Sequence, residues 1–297
     1  MQEVDYLAYS QETNDSVEFA LELMRGLELP PQPTIIAAIS KEMTKSEPSF
    51  QIISKLVTQD PALVSHVLKL INSPLFSLQR KITSIQTALS LLGLNKFYSM
   101  VVTSAAKTAL GFDTKNVEEL WQHSLLAAKS CELIALGIPG GKLISEEAYM
   151  VGLFHDSAIP VLLLKHPSYL AVVEKVVSLG GEIQSFEEEH FNTHHALVGS
   201  LLCRSWGLPS HIYKVIRFHH CNTLDMFNDV KTKRLAAVLM LADFLARCAI
   251  SNQETEDCHS QRWLTLLEQI QKTLDINLNK INEFKTQTEA LTILEVN

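Results

Sequence analysis

The chain has 297 residues, 46% of them hydrophobic, which is enough apolar side chain for one large domain or two lobes sharing a boundary and excludes wholesale disorder. Its net charge of -8 excludes a general nucleic-acid binder, whose surface would carry a basic face, although a local basic patch is compatible with it. No apolar run approaches the ~20 residues that span a bilayer, and the polar opening MQEVDYLAYSQETND has neither the basic nor the apolar region of a signal peptide.

In chain order, Leu29-Pro30-Pro31 is the first turn signal. Between Phe50 and Ile71 apolar residues recur at three- and four-residue spacing, a helical period. Pro61 divides this run: Asp60 reads as an N-cap with proline at the first helical position, so two helices meet there. Asn72-Ser73-Pro74 ends the second, because proline cannot continue the hydrogen-bond ladder. Ser84 to Leu92 repeats the helical pattern, Gly93 closes it, and Asn95 is the expected cap of the next helix. The polar stretch Gly111 to Asn116 is the expected boundary between two lobes. Further turn signals are Gly137 to Gly141, Gly180-Gly181 and Gly207-Leu208-Pro209. Ser251 to Gln261 reads as a loop, and the segment from Trp263 to Leu294 as two helices, the second capped near Asp275 or Asn277. No pair of alternating segments suggests a sheet. The predicted fold is therefore all-α and two-lobed: residues 16–112 form an N-terminal helical lobe, and residues 113–297 a second lobe with the C-terminal helices.

The cysteines are Cys131, Cys203, Cys221, Cys248 and Cys258, an odd set without CxxC spacing, which reads as reduced thiols of a cytoplasmic protein. Trp121 and Trp206 read as core anchors.

The candidate chemistry lies in histidines and carboxylates on apolar helical stretches. His155 and Asp156 follow the apolar run Met150 to Phe154. Imidazole and carboxylate together suit Zn, Fe or Mn. His123 in LWQHSLLAAK, His194 and His195 in THHALVGSLL, His219 and His220 after IYKVIRF, and Asp243 in LMLADFLA occupy separate segments. An unpaired polar group is costly to bury at such positions. A shared metal offsets that cost, and so does an ordinary hydrogen bond to a core carbonyl or carboxylate. Cys221 beside His219-His220 reads as packing before it reads as a soft ligand. The run Glu187-Glu188-Glu189 reads as a solvated helix face rather than a source of ligands.

Four longer stretches carry a family likeness: LELPPQPTII, LVTQDPALVSHVLKLINSPLF, KITSIQTALSLLGLNKFYSMVV and EEEHFNTHHALVGSLLCRSWGLPSHIYKVIRFHH. Their content and order resemble the HDOD domain, over roughly residues 27–220. The order His123, His155-Asp156, Asp243 resembles the H…HD…D quartet of the HD superfamily of metal-dependent phosphohydrolases. His195, His219 and His220 resemble the additional ligands of HD-GYP phosphodiesterases. The resemblance implies an HD-like second lobe in a stand-alone bacterial signalling protein. It implies one divalent ion (Fe, Mn, Mg or Zn) at His123, His155, Asp156 and Asp243, and a possible second set at His195, His219 and His220.

The chain departs from the catalytic pattern. Active HD-type phosphodiesterases commonly read HD-x-G-K, whereas this chain reads His155-Asp156-Ser157-Ala158-Ile159. The lysine that would give positive charge to a phosphate is Ile159 here. The GYP signature is also missing after His219-His220, where CNTLDMF follows. The expectation is thus a non-catalytic signalling module that binds another, unknown signalling protein, with no organic cofactor, no nucleic acid and no membrane among its partners. The alternative is a metal-dependent phosphohydrolase acting on a nucleotide or cyclic dinucleotide through His155 and Asp156, and a third reading is a small-ligand sensor.

Overall fold

The computed structural model describes residues 34–72, 76, 78, 80–109, 115–166, 168–169, 183–205, 208–251 and 261–293. Among them every regular element is helical. Leu29-Pro30-Pro31, Ser73-Pro74, Gly180-Gly181, Gly207 and Cys258 lie outside the described residues, as do the side chains of Trp121 and Trp206 and the expected lobe boundary between 112 and 113.

The first group is α1 (Thr34–Met43), α2 (Phe50–Thr58), α3 (Pro61–Ile71), α4 (Ile85–Leu92) and α5 (Leu94–Ala109). Local chemistry sets its boundaries. The Ser49 hydroxyl accepts from the Ile52 amide at the start of α2. Asp60 accepts from the Leu63 amide at 3.0 Å, so the Asp-Pro pair opens α3 as its sequence dictates. Asn72 does more than end that helix. Its amide donates to the carbonyls of Leu68 and Ile82 and accepts from the Ile82 amide, each at 2.7 Å, tying the end of α3 to the approach to α4. α2 lies against α1 and α4, and α3 against α5, with Ile53, Val57, Leu63, Val67, Leu89 and Phe97 in the core.

Asn95 is not the cap expected of it. Gly93, at φ 77°, both closes α4 and accepts the first backbone bond of α5, from Phe97. A one-residue connection leaves no room for a separate cap, and Asn95 falls in the first turn, where its amide bonds Glu146 instead.

The second group is α6 (Lys115–Leu136), a 3-10 turn (Gly141–Ile144), α7 (Ser145–Phe154), α8 (Ile159–Lys165), α9 (Ile183–Phe191), α10 (His195–Ser205), α11 (Ser210–Arg217), a second 3-10 turn (Leu224–Met226), α12 (Val230–Ser251), α13 (Gln261–Leu274) and α14 (Leu278–Ile293). Asn277 caps α14 through the Lys280 amide at 3.0 Å. α6, α7 and α12 pack on one another as the central layer. α7 is buried from Ala148 to Phe154 and α12 from Leu235 to Asp243, which is why neither shows an apolar stripe. The crossing of α6 and α7 is close because position 152 has no side chain. A Cβ on Gly152 would sit 2.7 Å from Ala128 Cα and 2.8 Å from the Ala127 carbonyl oxygen. α14 returns to α6, where Thr288 meets Ser130 at 3.2 Å and the Phe284 ring fills the space beside Gly137. The two groups join where α5 meets α7, with Lys96 paired to Glu132 and the Lys129 ammonium 3.8 Å from the Phe76 ring centre.

Candidate metal centre

His155 and Asp156 do not lie on a regular helix. They occupy the turn between α7 and α8, where Ser157 and Ile159 donate to carbonyls three residues back. This tight geometry lets the two neighbouring side chains converge, which ideal helical spacing of about 100° per residue would oppose. His123 arrives from α6 and Asp243 from α12, and the Gly152 crossing sets how near α6 comes to the turn.

The ligand-type atoms of His123, His155 and Asp243 lie within 4.8 Å of one another, and those of His195, His219 and His220 form a second such group. Asp156 stands between the groups and faces both. Its Oδ2 is 3.1 Å from His155 Nε2 and 3.7 Å from His123 Nε2. Its Oδ1 is 3.6 Å from His195 Nε2 and 3.8 Å from His219 Nε2. Asp243 Oδ1 is 3.2 Å from His123 Nε2 and 3.6 Å from His155 Nε2. Donors bound to a common ion at about 2.1 Å lie roughly 3–3.5 Å apart, close to these separations.

The rings are held with their Nε2 atoms inward. His155 Nδ1 donates to the Gly152 carbonyl at 2.8 Å, and His219 Nδ1 to that of Ile216 at 2.6 Å. His195 Nδ1 donates to Glu187 at 2.7 Å. Such partners at the far nitrogen fix ring orientation and raise the basicity of the inward one. His155 Nε2 is buried and has no hydrogen-bond partner of acceptable geometry, although a carboxylate oxygen is near. The three imidazoles of the second group also crowd together, with His195 Nε2 2.9 Å from His220 Nε2. Buried nitrogens aimed at one another and at a shared carboxylate fit a divalent cation better than they fit mutual hydrogen bonding.

The electrostatics express the same strain. Burial opposes a charged His155, but the carboxylates of Asp156 and Asp243 outweigh it and push its pKa up to about 10. Burial would raise the carboxyl of Asp156, yet the imidazoles of His155, His195 and His123 hold it well below the usual range. Asp243 is likewise held low against burial, by Arg247, His123 and His155. Burial, with His195 and His155 beside it, drives His219 down to about 3.

The other candidates fall elsewhere. His194, next to His195, accepts from the Leu197 amide at 3.2 Å and meets Gln184 at 3.1 Å, so it caps α10. The Cys221 thiol donates to the Thr223 carbonyl and is pushed up to about 11 by burial. Ile159, at the expected lysine position, is part of the hydrophobic core.

One expectation is corrected. Glu187 is not on a solvated face: it is fully buried, accepts from the ring and the backbone amide of His195, and takes the Tyr169 hydroxyl on its other oxygen. Its neighbours Glu188 and Glu189 are exposed, so the run straddles the helix surface. Tyr169 and Arg247, which bonds Asp243 Oδ2 at 2.9 Å, also escaped the sequence reading. Charge runs carry no mark of which member faces inward.

An all-helical fold that brings an H…HD…D set together from two helices and one turn defines a domain of the HD superfamily. The HDOD domain model matches residues 29–222, and the chain belongs to the HDOD family. The chain is similar to an HDOD domain protein of unknown function from Geobacter sulfurreducens, at 27% identity and TM-score 0.66, covering 93% of this chain and 98% of that one. It shares its fold with a candidate phosphohydrolase from Shewanella amazonensis SB2B, at 23% identity and TM-score 0.67, covering 93% and 96%. Over 133 residues it is 27% identical to the cyclic di-GMP phosphodiesterase CdgJ of Vibrio cholerae, covering 45% of this chain and 30% of that protein. The matched segments span 38% or less of the curated relatives' own lengths. No helix among the described residues is long and apolar enough to cross a membrane.

Proposed function

We propose that the chain is a signalling domain that holds a pair of divalent metal ions and hydrolyses a phosphoester, with a phosphodiester of the cyclic-dinucleotide class as the first candidate. The observation that carries this reading is the Asp156 carboxylate, which faces one ligand group with each oxygen. His123, His155 and Asp243 would complete one site and His195, His219 and His220 the other. Mn or Fe suits this mixture of imidazole and carboxylate, and Zn or Mg would compete. Bound there, a divalent pair supplies Lewis acidity to a phosphoryl oxygen and acidifies a water.

The protein's own share is orientation and exclusion. Carbonyls of Gly152 and Ile216 and the carboxylate of Glu187 lock three rings, and burial of His155, His195 and His219 keeps bulk water from their inner nitrogens. His123 and Asp156 each keep 15% of their side-chain surface open, so substrate would enter from their side. The name of the Vibrio cholerae relative is consistent with this substrate class.

A second reading has its own observation. Ile159 is buried where a phosphate-binding lysine is expected, which favours a metal-holding module that signals through a protein partner without turnover. An assay separates the two. Protein loaded with Mn, Fe, Zn or Mg should cleave cyclic di-GMP or bis(p-nitrophenyl) phosphate slowly, on the order of a hundredfold below a site with its lysine. Asp156→Ala should abolish that turnover while the helical circular dichroism spectrum persists. Absence of turnover with all four metals would leave the non-catalytic module.

A further inference from the structure

Tyr169 lies just past α8, where its amide donates to the His166 carbonyl at 2.9 Å. The residue is fully buried. Its ring rests against that of Phe191, with 5.6 Å between centroids, and its hydroxyl donates to Glu187 Oε1. Glu187 and Phe191 stand four residues apart on α9, so one face of that helix receives both the ring and the hydroxyl. The other carboxylate oxygen, Glu187 Oε2, accepts twice from the first residue of α10: from His195 Nδ1 at 2.7 Å and from the His195 amide at 3.2 Å. A buried line of hydrogen bonds therefore runs from the phenol through the carboxylate to a ring whose Nε2 faces His219 at 3.4 Å and His220 at 2.9 Å.

We infer that Tyr169 is a positioning residue for the second ligand group: its hydroxyl fixes the Glu187 carboxylate, and that carboxylate fixes His195 with Nδ1 donating and Nε2 turned inward. The inference rests on the metal reading above. The last torsion of a glutamate is broad, so a carboxylate held at one oxygen alone can swing and loosen the ring behind it. The phenol holds the second oxygen and removes that freedom. An imidazole that ligates a metal is neutral and brings no counter-charge to its partner, so the buried Glu187 carboxylate then depends on its three hydrogen bonds. Burial and the Glu187 carboxylate push the Tyr169 phenol well above its ordinary pKa, which keeps it a donor. The other group is built differently, since His155 turns on the neutral carbonyl of Gly152. The effect of Tyr169 therefore falls on one group.

The test titrates the full chain with manganese alone and follows uptake by electron paramagnetic resonance. Two ions that share Asp156 give an exchange-coupled signal, and one ion gives the resolved hyperfine pattern of an isolated centre. Wild type, Tyr169→Phe, Glu187→Gln and the double variant are compared. Losing one hydrogen bond of ordinary net strength should weaken uptake of the second ion about three- to tenfold in Tyr169→Phe, trading coupled for isolated signal at unchanged affinity for the first ion. In the Glu187→Gln background the same change should add little, because the phenol acts through that carboxylate. Unchanged affinity for the second ion in Tyr169→Phe overturns the inference. So does an equal loss at both groups, or a fully additive loss in the double variant, since either marks an effect on packing alone. A wild type that never gives the coupled signal overturns the metal reading and the inference together, and that failure is read from the wild type before any variant is compared.

Discussion

The helices from Thr34 to Ala109 and those around the candidate centre are packed alike but bury different things. In the first group the buried polar residues among those described are Glu42 and Ser104. Glu42 is answered locally by the Ser49 amide at 3.1 Å and the Lys45 ammonium at 2.5 Å. In the second group His155, Glu187, His194, His195, His219 and Asp243 are all buried. Interior charge costs several kcal/mol per ion when it is uncompensated, and a purely helical core gains nothing from it. The first group is thus a stabilising scaffold, and the second carries a cost that a cation bound at the proposed centre would offset.

Removing core volume from the scaffold should give the largest loss of stability. Leu63→Ala, at a fully packed site, should cost about 2–5 kcal/mol in urea unfolding and leave the metal content of the folded fraction unchanged. A fall in metal content there would show that the groups are not separable. Gly152→Ala should couple the two effects. Its methyl would strike the backbone of α6, costing about 1–3 kcal/mol and shifting His123 relative to His155. Weaker binding at the His123 group is the readout, and an unshifted metal affinity would count against the close crossing as its cause.

A smaller effect is expected from Glu187→Gln. Loss of the carboxylate behind His195 should weaken the His195, His219 and His220 group by about ten- to a hundredfold and spare the other. Equal weakening of both groups would argue that Glu187 acts on the fold rather than on one ring.

The mildest test is pH. In the metal-free protein the raised pKa of His155 contributes stability that is full below its ordinary value of 6.5 and lost as pH rises through about 10. Asp156 and Asp243 work the other way, contributing above the ordinary carboxylate value of 3.8 and losing that contribution as pH falls. A metal ion must displace the His155 proton, so apparent affinity should rise by up to about tenfold per pH unit from neutrality toward 10. Calorimetry in buffers of different ionisation enthalpy should detect the released proton, and pH-independent affinity would contradict the assigned ligand.

Much of this was legible in the sequence. Asp60-Pro61 and Gly93 set helix ends through local chemistry that needs no tertiary context, and the order of His123, His155-Asp156 and Asp243 identified the groups that meet. Asn95 was misjudged because the connection before it is a single residue, a length that local signals do not encode. Glu187 was misjudged because its role depends on where α10 presents His195, eight residues later and across a turn. The shared role of Asp156 was also beyond reach, since it depends on the two carboxylate oxygens facing in different directions.

The most direct measurement of the central claim is the metal stoichiometry of wild type and Asp156→Ala by plasma mass spectrometry, after loading with manganese or iron and desalting. The account expects about two ions per folded wild-type chain, one for each ligand group, and loss of both on removing the one carboxylate that faces the two groups. A wild type that retains no metal, or an Asp156→Ala variant that retains both ions, would contradict it.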